Sequence, residues 1–541
     1  MLVKICLVVI FFGVAIGVGI YCRSSTKSVD GFVLGGRNVG AWMSAFAFGT
    51  SYFSAVVFVG YAGQFGWKYG VAAFWAGIGN ALIGSLMAWW ILGPRTREMT
   101  HRIGATTMPE FFGKRYDSHA LRVAAAAIIF IFLIPYTASV YNGLSRLFGM
   151  AFNLPYEWCV IGMAIITCIY VVVGGYMATV VNDFLQGIVM LVGIVAVVFA
   201  IMSANGGFME SFVGLSQVSD GSGFAGVFTS MFGPDPLNLL GVVVLTSLGT
   251  WGLPQMVQKF YAIKDGPAIK QGAIISTLFA LVVSGGSYFL GGFGHLYADK
   301  IEYSASGTPI YDSIVPTMLQ TSLPEILIGL VIVLVLSASM STLAGLVLNS
   351  SSTLTLDFLE GNVIKNMTER SRVAWMRVLI VVFIIISAAI ALLQYHSTIT
   401  WIAQLMGISW GALSGAFIGP YVWGLYSGRV SRASVWASFI VGVGLTTGNM
   451  IMGFIPGCTP LFESSINCGA VAMIASLVIV PVVSLFTPAV KFDVNPPHAE
   501  GAIDRKLEET LRGEGELPAT PAEASVYETG RIENDTSTRE P

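Results

Sequence analysis

With 541 residues, 11% of them charged and 55% hydrophobic, and a mean hydropathy of +0.75, the chain has too few charges to clothe a water-soluble surface. Lipid must be the solvent for most of it. A formal net charge of −2 without basic–aromatic clusters argues against a nucleic-acid partner, and six cysteines with no CxxC spacing argue against a zinc or redox site.

The first apolar stretch, residues 2–21, lacks a small-residue cleavage pattern and reads as a retained, peripheral membrane helix. A crossing needs about 20 mostly apolar residues. Thirteen stretches qualify: 2–21, 42–66, 69–92, 122–150, 158–178, 183–203, 237–257, 271–296, 325–347, 374–394, 399–426, 434–455 and 468–488. With the N-terminus outside, this count leaves 24 of the 28 Lys and Arg on the cytoplasmic side, among them Arg122, Lys259 and Arg372. The segment 204–236 holds no Lys or Arg and reads as an outer loop; 297–324 is a second one, with short helices. Cys458 and Cys468 bracket a polar loop and are either a disulfide or two free thiols. Beyond Pro488 the last 53 residues hold twelve acids and six bases, the pattern of a disordered cytoplasmic tail with one helix over 503–512.

Three spans carry polar or broken centres. The second contains Phe48-Gly49-Thr50-Ser51-Tyr52-Phe53-Ser54-Ala55, and the seventh Leu248-Gly249-Thr250-Trp251-Gly252-Leu253-Pro254-Gln255. The ninth contains Ser337-Ala338-Ser339-Met340-Ser341-Thr342. Unwinding a membrane helix frees backbone carbonyls that must find partners, and a desolvated Na+ is one. Breaks in two spans five crossings apart are the pattern of an inverted repeat with a site at the membrane midplane.

These residues resemble the sodium/solute symporter family over roughly residues 30–490. The resemblance rests on Phe32-Val33-Leu34-Gly35-Gly36-Arg37, on Gly174-Gly175-Tyr176-Met177-Ala178 with Asn182, Asp183 and Gln186, on Gln255-Met256-Val257-Gln258-Lys259-Phe260, and on Met340-Ser341-Thr342-Leu343. It implies an all-α integral membrane protein of the leucine-transporter type. Its ten-helix, five-plus-five core would run over 42–426, followed by two peripheral helices over 434–488 and the tail over 489–541. It further implies Na+-coupled symport of a small organic solute by alternating access, in the plasma membrane, with the C-terminus cytoplasmic. The class of solute spans amino acids, vitamins, organic acids and sugars.

The resemblance implies a Na+ site built from the carbonyls of Thr50, Phe53 and Ala338 and the hydroxyls of Ser341 and Thr342. Neutral oxygens of this kind suit Na+ better than a divalent ion. The competing account of the two hydroxyls is that they bond back to carbonyls one turn earlier. A second site found in some members would add hydroxyls where this chain has Ala344 and Gly345, so one Na+ per cycle is expected. Asp183 is either a carboxylate on the Na+ release path or a cap on the sixth span at the cytoplasmic mouth. Tyr52, Ser54, Thr250, Trp251 and Gln404 flank the breaks and are the candidate solute contacts. No organic cofactor and no enzymatic constellation is evident. The alternatives are a proton-coupled symporter with Asp183 as proton carrier and a transporter-like membrane sensor.

Overall fold

The computed structural model describes residues 2–22, 28–152, 154–219, 226–304, 307–396, 402–455 and 457–494. Among them every extended element is helical, and strand pairing is confined to isolated bridges such as Val39 with Ile263. That is what the hydropathy demands, because a helix satisfies its own backbone where no water can. One compact unit runs to Val490 and a second begins at Lys491. Most of the expected tail, including 503–512, lies outside the described residues.

Ten helical stretches are long and apolar enough to cross a membrane, or eleven with the bent pair Pro236–Gly252 and Pro254–Ala262. That is short of the thirteen expected, and the reason lies in two overlong stretches, Val56–Arg102 of 47 residues and Tyr156–Ala204 of 49. Straight, each would extend about 70 Å, more than twice the ~30 Å hydrocarbon core. Each contains a glycine at positive φ, Gly70 at 60° and Gly175 at 56°, where a side chain would be strained.

Both stretches fold back. Phe58 shares a cleft with Ser287, yet Gly77, about 28 Å further along a straight helix, packs on Gly285 of the same neighbour. In Tyr156–Ala204, Thr167 Oγ1 lies 3.5 Å from Met340 Sδ while Gly193 packs on Leu334, so both arms flank the helix Glu325–Thr353. The half-helix Ala62–Tyr69 lies so close to Gly266–Gly291 that a Cβ on Gly66 would collide with the backbone of Gly291.

Both interruptions expected are present. The second span is a helix over Ala41–Tyr52, an extended Phe53 (φ −112°, ψ 102°), then helical turns from Val56. The seventh breaks at Leu253 (φ −81°, ψ 124°) with a 46° bend, where Pro254 cannot donate to the preceding turn. The ninth is not interrupted. Glu325–Thr353 is one continuous helix through the Ser- and Thr-rich segment, because hydroxyls in a membrane helix can bond within it instead of unwinding it. Cys458 and Cys468 are free thiols, and the segment 297–324 carries the helix Tyr311–Ser322.

Candidate cation and solute site

The break in the second span creates the site. Where Ala41–Tyr52 stops, the last carbonyls have no amide one turn ahead, and the helix end carries partial negative charge. Thr342 Oγ1 lies 3.4 Å from the carbonyl oxygens of both Thr50 and Ser51, and 3.1 Å from that of Ala338. Ser341 Oγ donates to Thr50 Oγ1 at 2.8 Å, and Thr50 Oγ1 donates to the Phe46 carbonyl at 2.9 Å. Thr50, Ser341, Thr342 and Ala338 are all fully buried. Of the five residues expected, these four meet through oxygen atoms, and Phe53 caps the broken helix beside them.

Thr342 reconciles the two accounts of its hydroxyl. It bonds back to Ala338, and it also faces the open helix end across the contact. The result is a nest of neutral oxygens that includes the Ser51 carbonyl, and the buried Ser51 Oγ has no hydrogen-bond partner among the described residues. Hard monovalent cations favour such a donor set.

Asp183 is not at a solvated mouth. It is fully buried, it neighbours Ser341, and its Oδ2 lies 3.6 Å from Nζ of Lys259, which is 1% exposed. The Lys259 ammonium also sits over the Tyr176 ring, 5.2 Å from its centroid. Among the described residues neither carboxylate oxygen of Asp183 has a hydrogen-bond partner. Lys259 was expected on the cytoplasmic side, because the seventh span was ended at 257. The half-helix Pro254–Ala262 instead carries it inward. The usable signal was its place only five residues past Pro254.

The expected solute contacts separate into three groups. Tyr52 Oη donates to the Thr246 carbonyl at 2.6 Å and lies 3.0 Å from Asn80 Oδ1, while its ring stacks on Phe53 and stands 6.1 Å from that of Trp410. Ser54, at the break, accepts from the Val56 amide. Thr250 and Trp251 already spend their donors on the carbonyls of Gly84 and Ile83, tying the two spans together. Gln404 lies apart, in a cavity of about 640 Å³ with Lys68, Asp235 and Asn467.

Two residues that sequence reasoning passed over stand closer to the break. Trp410 lies between the rings of Tyr52 and Tyr136, and the buried Trp410 Nε1 and Tyr136 Oη, with Tyr61 Oη, have no hydrogen-bond partner among the described residues. Buried polar atoms in that condition need a partner, and a polar solute is one.

A profile of the sodium:solute symporter family matches residues 32–442. The chain is similar to sodium/proline symporter 2 of Staphylococcus saprophyticus, 27% identical over 448 residues, covering 81% of this chain and 84% of the relative. It is likewise 27% identical over 446 residues to a sodium/proline symporter of Staphylococcus aureus, covering 81% of this chain and 83% of that one. Among solved structures, a Na+-coupled sialic acid symporter in a substrate-bound outward-open state superposes with a TM-score of 0.70. Its sequence identity is 16%, with 91% of this chain and 99% of that chain covered.

Proposed function

The chain belongs to the sodium:solute symporter family, a Na+-coupled membrane transporter and not an enzyme, and we propose that its solute is a small zwitterion of the amino-acid class. Its sequence relatives are named for proline. An imino acid presents an apolar ring, which suits the faces of Tyr52 and Trp410, and a carboxylate, which suits unpartnered hydroxyl and indole donors. Tyr52 and Ser54 remain the solute contacts beside the break. Gln404 lines a separate cavity with Lys68 and Asp235.

One observation carries the coupling: the hydroxyls of Ser341 and Thr342 close on the open end of Ala41–Tyr52. Na+ bound by the Thr50 and Ala338 carbonyls and these two hydroxyls, with Phe53 completing the shell, ties the broken helix to Glu325–Thr353. That contact sets the solute side of the break and favours one of two alternating states. The segregation of Lys and Arg supports a plasma-membrane orientation with the N-terminus outside and the C-terminus inside. An inward membrane potential then adds about 2.3 kcal/mol per Na+ for each 100 mV.

Uptake of radiolabelled proline, alanine and a sugar into proteoliposomes, with Na+ or choline outside, tests this function. The expected outcome is Na+-dependent proline accumulation above the equilibrium level. Equal uptake in choline refutes the coupling, and preference for the sugar refutes the solute class.

A further inference from the structure

Asp183 poses an electrostatic problem that the Na+ site does not solve. A carboxylate with no exposure and no hydrogen bond among the described residues is strongly destabilising unless a cation or a proton balances it. Its position beside Ser341 makes it an attractive place for a mobile cation, one side chain away from the neutral-oxygen nest. The structure fills that place with part of the protein. The Lys259 ammonium approaches Asp183 Oδ2 to 3.6 Å, and its other near neighbour is the face of Tyr176, which stabilises a cation without a proton acceptor.

The local fold supports an occupancy of this kind and no more. Gly345, on the same continuous helix one turn beyond Ser341, faces Ser51 and Gln255 with room for a Cβ but contributes no side-chain oxygen, and its carbonyl accepts from Asn349. A second mobile ion would therefore find a carboxylate already matched in charge and no hydroxyl on that turn. Resting on the Na+ site proposed above, we propose that Lys259 is a tethered cation that takes the place of a second Na+ at Asp183 and thereby sets the number of Na+ carried at one.

Lys259 hangs from the nine-residue half-helix Pro254–Ala262, just past the 46° bend, while Asp183 belongs to the second arm of Tyr156–Ala204. The pair thus joins the broken seventh span to the folded-back stretch Tyr156–Ala204 through one charge contact. Tilting the half-helix lengthens that contact and exposes the carboxylate, so the same ammonium reports the position of the bend to the Na+ site.

The test is equilibrium binding of radioactive sodium ion to the purified full chain, with no solute present, so that the identity of the solute does not enter. Wild type and K259R bind one Na+ per chain. K259M, which frees the carboxylate, binds two, with a Hill coefficient rising above one. D183N, which leaves the ammonium unbalanced beside the site, weakens Na+ binding by about tenfold or more, and D183N/K259M returns it to one site of wild-type affinity. K259M with a single site of unchanged affinity overturns the proposal. So does D183N binding Na+ as wild type does, which serves as the deciding measurement where K259M fails to fold. Absence of saturable binding by the wild type is a different outcome, since it overturns the Na+ site itself and this inference with it.

Discussion

Asp183 and Asp357 are both fully buried carboxylates with a basic partner, and their surroundings could hardly differ more. Asp357 receives Arg122 Nε at 2.6 Å on one oxygen and Thr107 Oγ1 at 2.6 Å on the other, and Arg122 continues to the Leu356 carbonyl. Thr107 in turn caps the helix Met108–Arg115. Every polar atom of that carboxylate is used, so the pair pins three elements in one arrangement. Among the described residues Asp183 has a single ammonium at 3.6 Å and no hydrogen bond. A satisfied pair holds a structure still, whereas an under-satisfied one can exchange partners as the helices move.

Substitutions sharpen the contrast. The largest effect is expected from Asp357→Ala, which strands the Arg122 guanidinium and a cap and should cost about 3–5 kcal/mol of stability. Thermal unfolding in detergent checks it, and a Tm equal to that of wild type would show the tight pair to be as dispensable as an exposed one. Ser341→Ala comes next. It removes one oxygen of the nest and its bond to Thr50 while leaving the helix continuous, so the Na+ concentration for half-maximal uptake should rise about tenfold, equivalent to ~1.4 kcal/mol, with little change in Tm. A loss of folding without a shift in Na+ dependence would make the hydroxyl merely structural.

The smallest effect involves a titrating group away from both pairs. His295 is packed between the rings of Trp67 and Phe228, 3.9 and 4.0 Å between centroids, with Nε2 2.7 Å from the Trp67 carbonyl. Burial lowers its pKa, against a smaller upward pull from that backbone bond. A folded-state pKa below the unfolded value of about 6.5 means a stabilising contribution that is complete above that pH and lost as pH falls through the lowered value. Between pH 7.5 and 5.5, Tm should fall by about 2 °C more in wild type than in His295→Gln, since ~1 kcal/mol moves a chain of this size only a few degrees. Identical pH profiles would remove His295 from the account.

Much of this was legible in the residues themselves. Gly49 with Thr50 and Ser51, and Gly252 with Pro254, announced the two breaks, because few sequences leave a membrane helix so short of side chains and amides at its centre. The ninth span is as polar as an unwound segment and yet stays wound: Thr342, Ser351 and Ser352 lean on carbonyls of their own helix, while Ser341 bonds across to Thr50. Lys259 was misassigned by a span boundary two residues too early, a small error that moved a charge from the core to the surface. Gln404 was selected for its polarity, while Trp410, six residues on, reaches Tyr52. Which face of the helix Ile402–Tyr426 points inward depends on packing that no single sequence displays.

The meeting of Gly66 with Gly291 has a mechanical consequence. With no side chains between them, the short arm beyond the first break and the long helix beside it touch main chain to main chain, leaving nothing soft to absorb relative movement. Any swing of Ala62–Tyr69 must drag Gly266–Gly291 along, so the pair behaves as one lever whose fulcrum is the extended residue Phe53.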